Sequence, residues 1–291
     1  MGRTATEATP RHLSRTTAET REPAASHENK IATALIGLGA VGRAIFERAW
    51  QEPEIRIRAV VVSESRQAEA AAWIDGRAEV LTHLPQDCDL ALECAGHAAL
   101  GQHIIPALSA GIECAMLSVG ALATPGVAEQ LEAATLIGAT RLHLLPGAIG
   151  GIDALSAARL AGLQSVTYIG RKPIAGWRGT AAEAVLDLDS LHAPAVILRA
   201  SARDAARQYP KNANVAAALA LAGVGLDQTQ VQLIADPTIS ENIHEFSAYG
   251  AFGEMRVTLA GRPLAENPKT SALTVLSALR FLRHRTPGIC I

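Results

Sequence analysis

The sequence predicts an α/β protein: a parallel, helix-covered sheet in its N-terminal half, followed by an α+β domain with a mixed or antiparallel sheet. Short apolar runs alternate with helical segments from Ile31 to Leu145, the pattern of βαβ units. From Gln230 to Leu259, three strand-like runs follow one another with little helix between them. The 291 residues also exceed the ~100–200 of one domain, so two domains are expected. Hydrophobic residues make up 49% of the chain and aromatic residues only 3%, so Ala, Leu, Val and Ile must build the core.

Residues 1–30 carry only Met1 and Leu13 as apolar side chains besides alanine, which predicts a disordered leader. Four glutamates balance its arginines, and it lacks the ~7–15-residue apolar core of a secretory signal. The spacing then predicts strands over 31–36, 55–62, 89–94, 112–117 and 141–145. Helices are expected over 43–50, 66–74, 98–109 and 125–137, and residues 31–147 form the first domain. In the second domain, 148–268, helices are expected over 152–161, 201–208 and 213–222, with strands over 164–169, 230–234, 243–249 and 254–259. Residues 171–179 read as a polar loop. Leu273, Leu276, Leu279 and Leu282 recur at helical spacing, so the tail, 269–291, is expected to pack back on the first domain.

A formal charge of -2 with no long basic run argues against nucleic acid as a partner. No apolar run reaches the ~18–20 residues that span a bilayer, so no membrane role is expected. Cys88, Cys94, Cys114 and Cys290 lack metal-ligand spacing and read as reduced thiols of a cytoplasmic protein with no metal site.

Gly37-Leu38-Gly39-Ala40-Val41-Gly42 closes the first strand and opens the first helix, the context that a GxGxxG phosphate turn requires. Gly37 permits the turn, Gly39 lets a pyrophosphate approach the backbone, and Gly42 allows close helix–strand packing. A Rossmann-type domain that binds NAD or NADP follows. The acid that would accept from the ribose hydroxyls is Glu64, placed late, while Ser63, Ser65 and Arg66 are residue types that tolerate a ribose phosphate; both cofactors stay open. The loops at 94–97 and 118–121 fall at the carboxyl edge, where the nicotinamide ribose would lie, and His97 reads as a cap or solvent-facing group.

In the second domain, Asn212 and Asn214 precede a very apolar helix, as caps by default or as ligand contacts. The alternation Ile243-His244-Glu245-Phe246 puts His244 on the face of Phe246, so a buried Phe246 turns His244 inward. Of nine histidines it is the best placed to move a proton near neutral pH.

Gly37 to Gly42, Pro146-Gly147-Ala148-Ile149-Gly150-Gly151-Ile152-Asp153-Ala154-Leu155, Tyr209-Pro210-Lys211-Asn212-Ala213-Asn214-Val215-Ala216, His244-Glu245 and Gly250-Ala251-Phe252-Gly253 together resemble the L-aspartate dehydrogenase family from Ile31 to Ile291. The resemblance implies NAD(P)-dependent oxidative deamination of L-aspartate to iminoaspartate, which hydrolyses to oxaloacetate and ammonia or feeds NAD biosynthesis. It makes His244 the active-site histidine and Ala148 and Asn214 cofactor contacts. A dicarboxylate also needs cations or donors: Lys211 is the first candidate, with Asn212 beside it and Arg171 and Lys172 behind. The alternatives are a related two-domain reductase of homoserine dehydrogenase or dihydrodipicolinate reductase type, and a sensor that binds NAD(P) without turnover. An exposed sheet face in the second domain would favour a homodimer.

Overall fold

The computed structural model describes Gly2, residues 31–210, 212–264 and 266–285, and Ile289. Lys211, Cys290 and the leader apart from Gly2 lie outside the described residues.

The first sheet holds six parallel strands in the order β3-β2-β1-β4-β5-β6: β1 (Ala32–Ile36), β2 (Arg56–Val61), β3 (Glu79–Leu81), β4 (Leu90–Glu93), β5 (Glu113–Met116) and β6 (Leu142–Leu144). β1 and β4 are buried almost throughout because each pairs on both sides and is covered on both faces. The order reverses between β1 and β4, which opens a crevice at their carboxyl ends. The covering helices are α1 (Ala40–Trp50), α2 (Gln67–Ile74), α3 (Ile105–Ser109) and α4 (Val127–Ile137). The helix expected over 98–109 is divided: Leu100–Ile104 is a π-turn, and α3 starts only where Pro106 withholds its amide from the ladder. β3, a three-residue edge strand, carried no periodic signal.

The second sheet is mixed, in the order β11-β10-β7-β9-β8. Here β7 is Leu163–Lys172, β8 Ala195–Ser201, β9 Gln230–Ala235, β10 Asn242–Gly250 and β11 Gly253–Gly261. The hairpin β10/β11 is antiparallel, as its short turn predicted, whereas β7 runs parallel to β9 and antiparallel to β10. β7 continues to Lys172, so the loop expected from 171 begins two residues later.

One face of this sheet packs under α5 (Ile152–Arg159), α6 (Ala202–Gln208) and α7 (Asn214–Ala222). Val215 to Ala220 of α7 are all buried, because small side chains let the helix approach both the sheet and the 3-10 segment Val119–Ala123 of the first domain. The other face, with Thr167, Ile169, Glu245 and Ser247, stays partly open.

The short pair β12 (Pro263–Leu264) and β13 (Asn267–Ser271) leads into α8 (Ala272–Arg283), capped by the Ser271 hydroxyl. Val275, Ala278, Leu279 and Leu282 bury against Ile45 and Phe46 of α1, so the chain leaves the first sheet after β6 and returns to it through α8. Among the described residues no helix is long and apolar enough to cross a membrane.

Candidate active site

The glycine turn sits at the carboxyl end of β1. Gly37 takes φ +97°, in the left-handed region, and its amide donates to Val61 O at 2.8 Å. A Cβ on Gly42 would strike the Gly37 carbonyl and come within 3.1 Å of Cys94 Sγ, so α1 approaches the strand only because residue 42 has no side chain. Around Gly39 a Cβ would meet nothing within 4 Å, and no side chain caps α1. The first-turn amides, beginning at Ala40 and Val41, are thus available to an acceptor from outside, as a pyrophosphate requires. Glu64 opens the 3-10 turn Glu64–Arg66 and is exposed.

From this turn a cavity of about 670 Å³ extends between the two sheets. Its first-domain wall includes Val41, Gly96, His97 and Ser118; Ala148, Lys172, Asn212, Asn214 and His244 face them, and Ser271 and Thr274 close the side. The loops after β4 and β5 are shaped by Glu93, which is fully buried. Its carboxylate accepts from the amides of Ala95 (2.8 Å) and Gly96 (2.7 Å) and from both the hydroxyl (2.8 Å) and amide (3.0 Å) of Ser118.

Neither asparagine caps α7: Ala213 holds the cap position without a side-chain bond. Asn214 Oδ1 instead accepts from Gly120 N at 2.9 Å, joining α7 to the first domain. Asn212 is buried and donates to Gly176 O at 2.9 Å, while its Oδ1 is buried with no partner among the described residues. His97 is neither a cap nor a solvent-facing group. Its ring lines the cavity beside Gly120 and Asn214, Nε2 is buried with no hydrogen-bond partner among the described residues, and burial lowers its pKa.

His244 and Phe246 are both 3% exposed, on the inner face of β10. Tyr168 Oη lies 2.7 Å from His244 Nδ1, with the two rings stacked 6.1 Å apart. This reach depends on Gly170, where a Cβ would stand 2.7 Å from Tyr168 Oη. Burial raises the Tyr168 pKa, so the phenol keeps its proton. Lys172, 4% exposed at the end of β7, lines the same cavity with its Nζ 6.0 Å from the centroid of the buried Trp177 ring. Arg171, one residue earlier, faces away and pairs with the buried Asp236 at 3.2 Å.

Burial first, and then the Lys172 charge, push the His244 imidazole down to about 3, so it is neutral at working pH. Against an ordinary value of 6.5, a depressed base costs the fold nothing above pH 6.5, and stability drains away as pH falls toward about 3. Urea unfolding at about pH 7 and about pH 4.5 should therefore show wild type losing more stability than His244→Asn, by at most about 1.4 kcal/mol per pH unit. Equal losses would sink the assignment.

The structure thus gathers Val41, Ala148, Asn212, Asn214 and His244 around one cavity, beside the glycine turn. Glu64 stands outside it. The loops at 94–97 and 118–121 were expected at this edge, and Ser118 lies there; sequence reasoning missed Glu93, Tyr168, Ser271 and Thr274, and only the strand alternation 166–168–170–172 could have placed Tyr168 on the face of Lys172.

A parallel sheet with this turn, sharing a cleft with a mixed-sheet domain that supplies a buried histidine and lysine, defines a two-domain dinucleotide-binding protein of dehydrogenase build. Residues 37–144 match the family model for the homoserine dehydrogenase NAD binding domain, and residues 153–285 match that for the aspartate dehydrogenase C-terminal domain. The chain belongs to the L-aspartate dehydrogenase family: the L-aspartate dehydrogenase of Pseudomonas aeruginosa is 53% identical over 262 residues, covering 88% of this chain and 98% of that protein. The L-aspartate dehydrogenase of Ralstonia pickettii is 52% identical with the same coverage. A crystal structure of aspartate dehydrogenase from Thermotoga maritima shares the fold at TM-score 0.71 and 23% identity, over 90% of this chain and 99% of that one.

Proposed function

We propose that the protein oxidises L-aspartate to iminoaspartate with NAD or NADP, releasing one proton, and runs in reverse as reductive amination of oxaloacetate. The observation that carries this reading is the buried pair His244 and Lys172, a neutral base and a cation lining one cavity beside an uncapped glycine turn. Residues 31–147 bind the dinucleotide and 148–268 the substrate, with α8 returning to the first domain.

Gly37, Gly39, Ala40, Val41 and Gly42 hold the pyrophosphate, and Glu64 stands at the ribose edge. Ala148 and Asn214 flank the nicotinamide, where a small residue and a carboxamide suit a ring and its amide. When bound, the nicotinamide would supply the hydride acceptor for the substrate Cα.

Lys172 neutralises one substrate carboxylate, and Lys211, next to Asn212, is the candidate for the other. The unpartnered Asn212 Oδ1 accepts from the amino group. His244 acts as base with its proton on Nδ1, donated to the Tyr168 oxygen, leaving the Nε2 lone pair to take the proton the amino group releases. Tyr168 thus orients the base. The walls formed by Leu117, Leu145 and Val215 keep water from the reacting carbon.

The test is formation of reduced nicotinamide by the purified protein with L-aspartate and each cofactor in parallel, beside the reverse reaction on oxaloacetate plus ammonia. Turnover in neither direction, with cofactor bound, would refute it. We also place the protein in the cytoplasm as a homodimer built on the partly open face of the second sheet; fractionation and sedimentation that found a secreted or monomeric protein would overturn this.

A further inference from the structure

The dinucleotide reading leaves the cofactor's adenosine end undecided, and the residues after β2 bear on it. The position directly past the strand, where an NAD site carries an acid facing the ribose hydroxyls, is occupied by the buried Val62 and then Ser63. Ser63 Oγ lies 3.2 Å from Ser65 Oγ. Two guanidinium groups converge at the neighbouring glycine turn: Arg66 Nη2, one residue past Ser65, and Arg43 Nε each sit 3.4 Å from the carbonyl oxygen of Leu38.

Both arginines also meet one carboxylate. Arg66 donates to Glu69 Oε1 (3.1 Å) and Oε2 (3.2 Å), and Arg43 pairs with Oε1. The Arg43 guanidinium lies over the Trp73 ring, 5.1 Å from its centroid. Glu69 is half exposed and is held below the usual carboxylate range, chiefly by its bond from Arg66. Such an exposed pair is weak and easily exchanged for a stronger anion.

We propose that Ser63, Ser65, Arg66 and Arg43 form a phosphomonoester site for the 2′-phosphate of NADP, with Glu69 as its intramolecular occupant. The proposal rests on the NAD(P)-binding reading and deepens it from either cofactor to a preference for NADP. A phosphomonoester carries a charge of about −1.5 to −2 at pH 7 and offers three acceptor oxygens, against one charge on Glu69. Two planar guanidinium groups match it through paired N–H donors, and the serine hydroxyls supply further bonds. When phosphate displaces Glu69, each guanidinium keeps a second anchor: Leu38 O for Arg66, and Leu38 O with the Trp73 ring for Arg43. The site therefore stays ordered without its carboxylate.

The probes are adenosine 2′,5′-bisphosphate and 5′-AMP, titrated calorimetrically into the full chain at one fixed ionic strength. Wild type is expected to bind the bisphosphate about tenfold more tightly, the scale of one charge-assisted bond pair. Arg66→Ala should collapse that ratio to about one, and Glu69→Gln should widen it several-fold by removing the competing charge. Equal binding of both probes by wild type, or a ratio that survives in Arg66→Ala, overturns the phosphate site alone. If neither probe binds and NADH also fails to bind, the dinucleotide reading itself falls.

Discussion

Replacing His244 with alanine should lower kcat for L-aspartate by roughly 10²- to 10⁴-fold, the range supplied by a positioned acid–base group. Binding of the dinucleotide, read by fluorescence of the reduced cofactor, should survive, because the glycine turn belongs to the other sheet. Alanine also orphans the Tyr168 hydroxyl in a fully buried position, at a stability cost of about 1–3 kcal/mol, so the variant's melting must be followed beside its rate. Tyr168→Phe separates the two effects. It keeps the imidazole but removes the bond at Nδ1, and should cost less in kcat than losing the base while shifting the pH–rate profile. A His244→Ala variant that is folded and near-normal in rate would show that another group moves the proton.

Replacing Lys172 with methionine should raise KM for L-aspartate roughly 10²-fold, the scale of truncating one partner of a desolvated charge pair. Methionine preserves the stem against Trp177 and removes the charge together with the contacts the ammonium makes, so melting is followed beside KM. The same change removes the like charge that helps depress His244, and the acid limb of the pH profile should move upward. These two readouts are independent: a surface lysine would move neither, and a purely structural one would not move the pH limb. An unchanged KM would transfer the carboxylate contact to another residue.

The first domain was legible because its signals are local. A strand, a glycine turn and a helix follow within a dozen residues, and their apolar periods are undisturbed. The second domain was harder to read at the positions that matter most. Gly170, Arg171 and Lys172 look like the start of a loop because the strand carries a bare position and two charges, yet the bare position makes room for Tyr168 and the second charge lines the cavity. Function there breaks the apolar pattern on which strand reading depends.

His244 could be found from its alternation with Phe246, but its partner lies 76 residues away across a strand pair. Asn214 shows the same limit: local rules favour a cap, and a bond to Gly120, 94 residues distant, overrides them. Glu93 closes an apolar strand and gives no sign that it will gather two loops.

The two places where the chain passes between the sheets both border the cavity, the first through Pro146, Gly147 and Ala148 and the second through Asn267, Thr270 and Ser271. Two covalent straps at the same wall act as the two knuckles of a door hinge. Twisting or sliding of one sheet past the other would have to stretch one strap. The bond from Gly120 to Asn214 and the packing of α7 on Val119–Ala123 tie the two halves at a further point, so the groups along this wall are held from three sides at once.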